Sequence, residues 1–261
     1  VADPAADFAR DGVALVRGVV PAPLVEALRG AVARLDSAPT GLSQAFPARG
    51  GAGSFRSHLH GWRREPAIAA ALLKGPIPAA VATVTAATTL TFFYDQAFLK
   101  PPGADVPTPW HHDLPFWPIE GRAVTAWLAL DPVDEGNGAV HFWRGSHRWP
   151  QRFRPTQPDT PETRTLRNMA LPPAPSGWEA PASERLAFRM APGDLLLFDA
   201  LTLHGARGNR SDRPRRALAA RYAIDLCRWV GGPHALAFDS DPGLASGDPL
   251  GGPIFPCVHP A

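Results

Sequence analysis

The stretch "TTLTFFYDQAFLK", Thr88 to Lys100, marks a change in the character of the chain. Ahead of it, apolar residues recur at helical spacing. From it onward they come in short aromatic, branched or aliphatic runs bounded by Pro, Gly or Asp, the pattern of strands. The same pattern returns in "AVTAWLALDPV" (Ala123 to Val133), "AVHFWRGS" (Ala139 to Ser146), "GDLLLFDALTLH" (Gly193 to His204) and "ALAARYAIDLC" (Ala217 to Cys227). No helical segment of convincing length separates these runs, which argues against a parallel βαβ sheet and for an antiparallel sandwich or jelly roll. The expected fold is mainly β with flanking α-helices: one domain over 1–261, with a helical N-terminal part at about 1–80, a jelly-roll core at about 88–228 and an irregular tail.

Outward from that stretch, "DPAADFARDGVALVRG" has Asp3 as a helix start, with Phe8 and Ala9 on an inner face, and Val13 to Val20 as a short strand. "PAPLVEALRGAVARLDS" sets Leu24, Leu28, Val32 and Leu35 at helical spacing behind a proline entry. "REPAIAAALLKG", Arg64 to Gly75, is a further helix that stops at Gly75. Downstream, the polar, proline-rich span from Arg152 to Glu184 reads as a substrate-covering loop or a surface insertion. The C-terminal tail is expected to be irregular and laid against the body by Ile254, Phe255 and Val258.

Composition narrows the function classes. A formal net charge of +2 over 261 residues gives no ground for nucleic acid or a membrane surface as partner. The 31 prolines and 24 glycines fit many turns, and eight tryptophans with thirteen phenylalanines argue against an unfolded chain. No apolar run is read as approaching the ~18 residues of a membrane span, and the start lacks the basic and apolar regions of a signal peptide. Cys227 and Cys257 are read as free thiols in a reducing compartment. A cytoplasmic enzyme, monomer or homodimer, acting on a small molecule is the expectation.

"PTPWHHDLPFWP", Pro107 to Pro118, carries the chemistry. At the end of a strand, alternation puts His111 and Asp113 on one face and His112 on the other. A third ligand is available at His204, at the end of an apolar strand 91 residues after Asp113. Two histidines and one carboxylate cover one face of an octahedral metal and leave three positions open, as in non-haem Fe(II) oxygenases; zinc prefers a closed or nearly closed tetrahedral set. His58 and His60 share a face too, but no carboxylate is read beside them, and a surface loop or substrate contact is expected. Beyond His204, "LHGARGNRSDRPRRALAARY" leads into a strand with Arg215 and Arg216, and an arginine there can grip a carboxylate bidentately.

Taken together and in order, "TPWHHDLPFWP", "WLALDPVDEGNGAVHFWRGSH", "GDLLLFDALTLHGA" and "HGARGNRSDRPRRALAARY" resemble the phytanoyl-CoA dioxygenase-like family of Fe(II)- and 2-oxoglutarate-dependent oxygenases. The resemblance spans roughly Tyr94 to Tyr222, about half of the chain. It implies a double-stranded β-helix, a cupin-like jelly roll, with Fe(II) held by His111, Asp113 and His204, and 2-oxoglutarate and O2 as co-substrates. Arg215, eleven residues past His204, matches the arginine that binds the far carboxylate of 2-oxoglutarate, while alternation turns Arg216 away. Lys100 and Trp127 match positions lining the co-substrate pocket, Gly138 makes a turn, and Ser146 and His147 close the next strand. His111 is thus the ligand and His112 is not.

There are departures from the family pattern. His112 stands where many relatives have glutamine, and is expected to fill the opposite face rather than join a hydrogen-bond network. Ala206 replaces a serine or threonine that helps hold the far carboxylate, removing one hydrogen bond from that clamp. Phe116, Trp117 and Phe142 are candidate substrate contacts, with core packing as their bland alternative. The implied reaction is hydroxylation of an unactivated C–H bond with release of succinate and CO2. With no basic cluster that would argue for coenzyme A, the substrate is read as a small or medium free molecule. A cupin-like metal lyase or isomerase, or a non-catalytic metal-binding member of the fold, stands as the alternative.

Overall fold

The computed structural model describes residues 3–48, 53–156 and 161–260. Helix α1 (Pro4–Asp11) begins at Asp3, whose carboxylate accepts from the Ala5 and Ala6 amides, and ends at Gly12 with φ 79°. Strand β1 (Val13–Val16) follows, then α2 (Ala22–Ser37). Next come β2 (Ser43–Pro47), β3 (Ser54–Leu59), α3 (Pro66–Leu73), α4 (Pro76–Thr85), β4 (Leu90–Lys100), β5 (Thr108–His111), β6 (Ile119–Ala129) and β7 (Val140–Trp143). The chain continues through β8 (Arg185–Ala187), β9 (Leu195–Asp199), β10 (His204–Ala206), β11 (Arg215–Trp229) and β12 (Cys257–His259).

Among the described residues the strands form two antiparallel sheets. The larger runs β1-β9-β6-β11-β4-β3-β2, with β12 also paired to β4; the smaller runs β5-β10-β7-β8. Period-two alternation sorts the side chains of the larger sheet into two layers. Val124, Ala126, Leu128, Leu195, Leu197, Leu218, Ala220 and Tyr222 face outward and bury the apolar sides of α2, α3 and α4, including Leu28, Val32, Leu35, Ile68 and Leu72. Trp127, Ala129, Leu196, Phe198, Ala217 and Ala219 face inward and meet Val140 and Phe142 of the smaller sheet. The result is the expected jelly roll, with the helices covering one outer face.

Several local expectations need correction. Ala9 is exposed and Phe8 alone faces inward; the strand after α1 ends at Val16. The N-terminal part is not purely helical, since β2 and β3 form a hairpin that extends the larger sheet. Gly75 stops α3 but also begins α4, whose prolines 76 and 78 sit in the first helical turn where an N–H has no partner to lose. Together Pro66–Thr85 make 20 residues long and apolar enough to cross a membrane by composition. In the structure they are two helices broken at Lys74 and Gly75, with Ile68, Leu72, Ile77 and Val81 buried in the core. The run Gly193 to His204 is two strands, because the Asp199 carboxylate takes the Leu201 amide and turns the chain from one sheet to the other. The tail is partly regular: β12 pairs with β4, and Phe255 and Val258 are buried.

Candidate metal and co-substrate site

His111 ends β5 and His204 starts β10, and the pairing of these strands sets the two residues opposite one another with ring centroids 4.3 Å apart. Asp113 lies just past β5 where a short 3-10 turn begins, held by Thr125 of β6, whose hydroxyl donates to Asp113 Oδ2 at 2.6 Å. Asp113 Oδ1 stands 3.6 Å from His111 Nε2 and 3.8 Å from His204 Nε2. One ligand atom from each residue falls within 4.8 Å of the others.

The donor set fits a metal. His111 Nδ1 lies 2.8 Å from the Pro109 carbonyl and His204 Nδ1 2.9 Å from the Thr202 carbonyl; a carbonyl only accepts, so each Nδ1 carries the proton and each Nε2 lone pair is free. Burial pushes the His204 pKa down to about 3, so the ring is neutral. Burial alone would raise the Asp113 pKa, but the neighbouring His111 and His204 rings and the charge of Arg221 hold it well below the usual carboxylate range. A divalent ion requires a nitrogen lone pair from each imidazole and an ionised carboxylate, and the Nδ1 bonds turn both Nε2 atoms to that use.

His112 is turned away from the triad, as alternation predicts, but it does not merely fill space. Its Nε2 accepts the Phe153 amide at 3.0 Å and its ring packs on Phe153, while burial pushes its pKa down to about 4. It ties down the start of the Arg152 to Glu184 segment. Further along, the backbone of Gly177 lies so close to the Trp110 ring that a Cβ there would come within 2.6 Å of it. Phe153, Trp178 and Trp110 thus cluster behind β5, and Thr156 reaches the cavity wall.

A cavity of about 540 Å³ opens over the triad, within the range of small-molecule sites. His111, Asp113, His204, Trp127, Phe116, Trp117, Ala206 and Arg215 all line it. Arg215 is 3 % exposed, its guanidinium lies 5.4 Å from the Trp127 ring, and burial lowers its pKa to about 10. Arg216 points the other way and forms a two-pronged pair with Asp131.

Three expected contacts differ. Lys100 is directly across from Arg215 in the β4–β11 register but is not on the cavity wall; its Nζ donates to the Arg207 carbonyl and lies over Phe55. Burial and the charge of Arg215 push its pKa down to about 6. Phe142 is fully buried between the sheets, 5.0 Å from the Phe198 ring and stacked on His204, because its inward position on β7 meets β9 and β10 and not the opening. His58 does have a carboxylate partner, Asp36 at 3.2 Å, as well as Ser43, and both it and His60 are buried. Sequence reasoning missed Thr125 and Arg221. Each stands an even number of positions from a residue already singled out, Thr125 from Trp127 and Arg221 from Arg215, and that phase was the available signal.

A jelly roll with two histidines and a carboxylate at the edge of an inner cavity has the arrangement of a cupin-type metal site. The chain belongs to the phytanoyl-CoA dioxygenase (PhyH) family, whose family model matches residues 8–217. It is 29% identical over 138 residues to the peroxisomal phytanoyl-CoA dioxygenase of Rattus norvegicus, a match covering 50% of this chain and 38% of that protein. The chain therefore spans well under half the length of that curated relative. Among solved structures it is similar to the epimerase SnoN in complex with Fe3+, alpha ketoglutarate and nogalamycin RO, at 28% identity and a TM-score of 0.76, with 97% of this chain and 96% of that one covered. The carbocyclase SnoK from nogalamycin biosynthesis shares the fold at 22% identity and a TM-score of 0.76, covering 98% and 95%.

Proposed function

We propose that the chain is an Fe(II)- and 2-oxoglutarate-dependent oxygenase that attacks an unactivated C–H bond of a small molecule, with release of succinate and CO2. The observation that carries this reading is the pairing, in one cavity, of His111, Asp113 and His204 with Arg215, a buried arginine that ion-pairs with no carboxylate among the described residues. A metal lyase would have no use for that arginine. The resemblance to SnoN, whose structure holds Fe3+ and alpha ketoglutarate, supports the same reading.

When bound, the iron with 2-oxoglutarate and O2 supplies the oxidising power for removing hydrogen from carbon. The chain's own residues position the parts. His111 and His204 present Nε2, and Thr125 fixes the direction of the Asp113 carboxylate. Arg215 holds the far carboxylate of 2-oxoglutarate, with Ala206 contributing no hydroxyl to that clamp. Phe116 and Trp117 form an apolar wall that orients the substrate and keeps water away. Trp117 is itself fixed by donating Nε1–H to the Tyr94 hydroxyl at 2.8 Å.

The same hydrogen removal can end in epimerisation instead of hydroxylation, a reading favoured by the near-complete coverage of the epimerase SnoN. Product analysis separates the two: a hydroxylated product gains one oxygen atom, an epimer none. A cytoplasmic location belongs to the same proposal and is supported by the unpaired Cys227 and Cys257. The deciding experiment is anaerobic titration of Fe(II)-loaded protein with 2-oxoglutarate, following the weak visible charge-transfer band of the chelate. A saturable band is expected, and iron binding without a band would overturn the proposal in favour of the lyase or binding-protein alternatives.

A further inference from the structure

Arg221 is a second buried arginine on the cavity wall, and the proposed reaction leaves it without an assignment. It lies six residues beyond Arg215 on β11, on the same inward face and about 20 Å further along the strand. Its neighbours across the sheet are Thr125, which holds Asp113, and Tyr94. It is 5 % exposed, and its Nε and Nη1 are buried without any hydrogen bond. The guanidinium is stacked 4.8 Å from the Tyr94 ring and 5.7 Å from the Phe98 ring.

Buried charge without a partner is costly, and even the half-buried Arg216 and Arg56 are paired, with Asp131 and Asp36. Arg221 has no ion pair among the described residues. Of the nearby carboxylates, Asp113 feels the charge of Arg221 but turns its oxygens to the two histidines and Thr125. Asp95 projects from the opposite face of β4, accepts the Trp62 amide, and is pushed up to about 7 by burial, so it is a partial counter-charge at best. Aromatic faces offset only part of the desolvation of a guanidinium.

The charges of the assembled site point the same way, on the proposed reading. A divalent iron and Arg215 bring three positive charges; Asp113 and the two carboxylates of 2-oxoglutarate bring three negative ones. Arg221 alone is left over. Tyr94 and Phe98 lie against it, and Phe46, Phe55, Phe116 and Leu236 add to the apolar wall of the same cavity. Burial keeps the Tyr94 phenol un-ionised, and its hydroxyl proton has no acceptor among the described residues, so it is a further donor beside the guanidinium.

We propose that Arg221 anchors an anionic oxygen group of the substrate, so that the cavity selects a flat apolar molecule carrying a carboxylate or comparable oxyanion. The inference rests on the oxygenase reading for its charge count, whereas the unpartnered guanidinium and its aromatic walls are independent of it. Two flat probes differing in charge, 2-naphthoate and 2-naphthamide, test it by calorimetric titration under argon of protein loaded with Fe(II) and 2-oxoglutarate, which keeps Arg215 engaged. Naphthoate is expected to bind about tenfold tighter or more than naphthamide. Arg221→Gln should erase that preference while leaving naphthamide binding and 2-oxoglutarate affinity within about threefold of wild type, and Arg221→Lys should restore part of it.

Equal affinity of wild type for the two probes overturns the proposal, and that measurement needs no variant to fold. A preference that survives Arg221→Gln also overturns it, as does loss of 2-oxoglutarate binding in that variant, which would make Arg221 a co-substrate ligand. Failure of the oxygenase reading has a separate signature: wild type would bind Fe(II) without 2-oxoglutarate, and the two probes are then compared on the metal-loaded protein, with the same outcomes deciding.

Discussion

His204 stands directly opposite His111, and each imidazole donates its Nδ1 proton to the carbonyl two residues before it in its own chain segment, Thr202 for one and Pro109 for the other. Each ring is oriented by its own backbone, so strand pairing alone brings two correctly turned Nε2 atoms together. Asp113 is different, because its orientation depends on the hydroxyl of Thr125 on the other sheet.

That difference can be measured. Thr125→Val keeps the shape of the side chain and removes the bond to Asp113, so metal affinity should fall about 10- to 100-fold with the fold intact. His111→Ala or Asp113→Ala should abolish tight binding. A competition titration with a coloured chelator reads both effects, and unchanged affinity in Thr125→Val would show that the carboxylate needs no such support.

Arg215→Ala should weaken 2-oxoglutarate binding by about 100-fold or more, as expected for removing one member of a buried charge pair. Arg216→Ala breaks only the pair with Asp131 on the outer side and should leave 2-oxoglutarate binding within about threefold. The charge-transfer titration measures both. A reversed order of the two variants would mean that the co-substrate lies on the other face of β11.

Lys100 predicts a dependence of stability on pH. Its pKa is pushed from the ordinary value near 10.5 down to about 6 by burial and by Arg215. Between those values the unfolded chain holds a proton that the folded chain lacks, so stability rises with pH across that window and the penalty is largest below about pH 6. Two pH units of such a slope amount to at most about 3 kcal/mol. Melting curves of metal-free protein at pH 7 and pH 9 should show wild type gaining on Lys100→Met; parallel behaviour of the two would place the charge on Lys100 throughout.

Phe142→Ala and Phe116→Ala should separate packing from recognition. Phe142, sealed between the sheets against Phe198, should cost about 3–5 kcal/mol of stability when truncated. Phe116, on the cavity wall, should change affinity for apolar ligands with a much smaller effect on melting. Denaturant titration of both variants checks this, and a melting loss larger for Phe116 would reverse the two roles.

Much of the site could be read from the chain because its parts obey short-range rules. Alternation separated His111 from His112 and Arg215 from Arg216, and four motifs in order identified the family. Alternation names a face but not what lies against it, so it does not show that Phe142 is sealed between the sheets, that Lys100 turns to the Arg207 carbonyl or that His112 takes the Phe153 amide. Phe142 faces inward as a substrate contact would, yet β9 and β10 close over it. The fold was legible from the run beginning at Thr88 onward and less so before it. The hairpin of β2 and β3 carries few strand-forming side chains and gains its order from pairing with β4, a contact distant in sequence. Helix α4 was hidden by its own prolines, which suit a first helical turn as well as a loop.

The two histidines belong to the smaller sheet, whereas Arg215 and Arg221 both project from one strand of the larger. The metal-holding histidines and the charged inner side of β11 therefore stand on separate sheets, with Thr125 and Asp113 as a clasp between them. Beyond Arg215, substitutions on the inner side of β11 can retune which molecules are accepted while the two histidines stay as they are. A lineage built this way is free to diversify its chemistry's targets by editing a single ribbon of backbone.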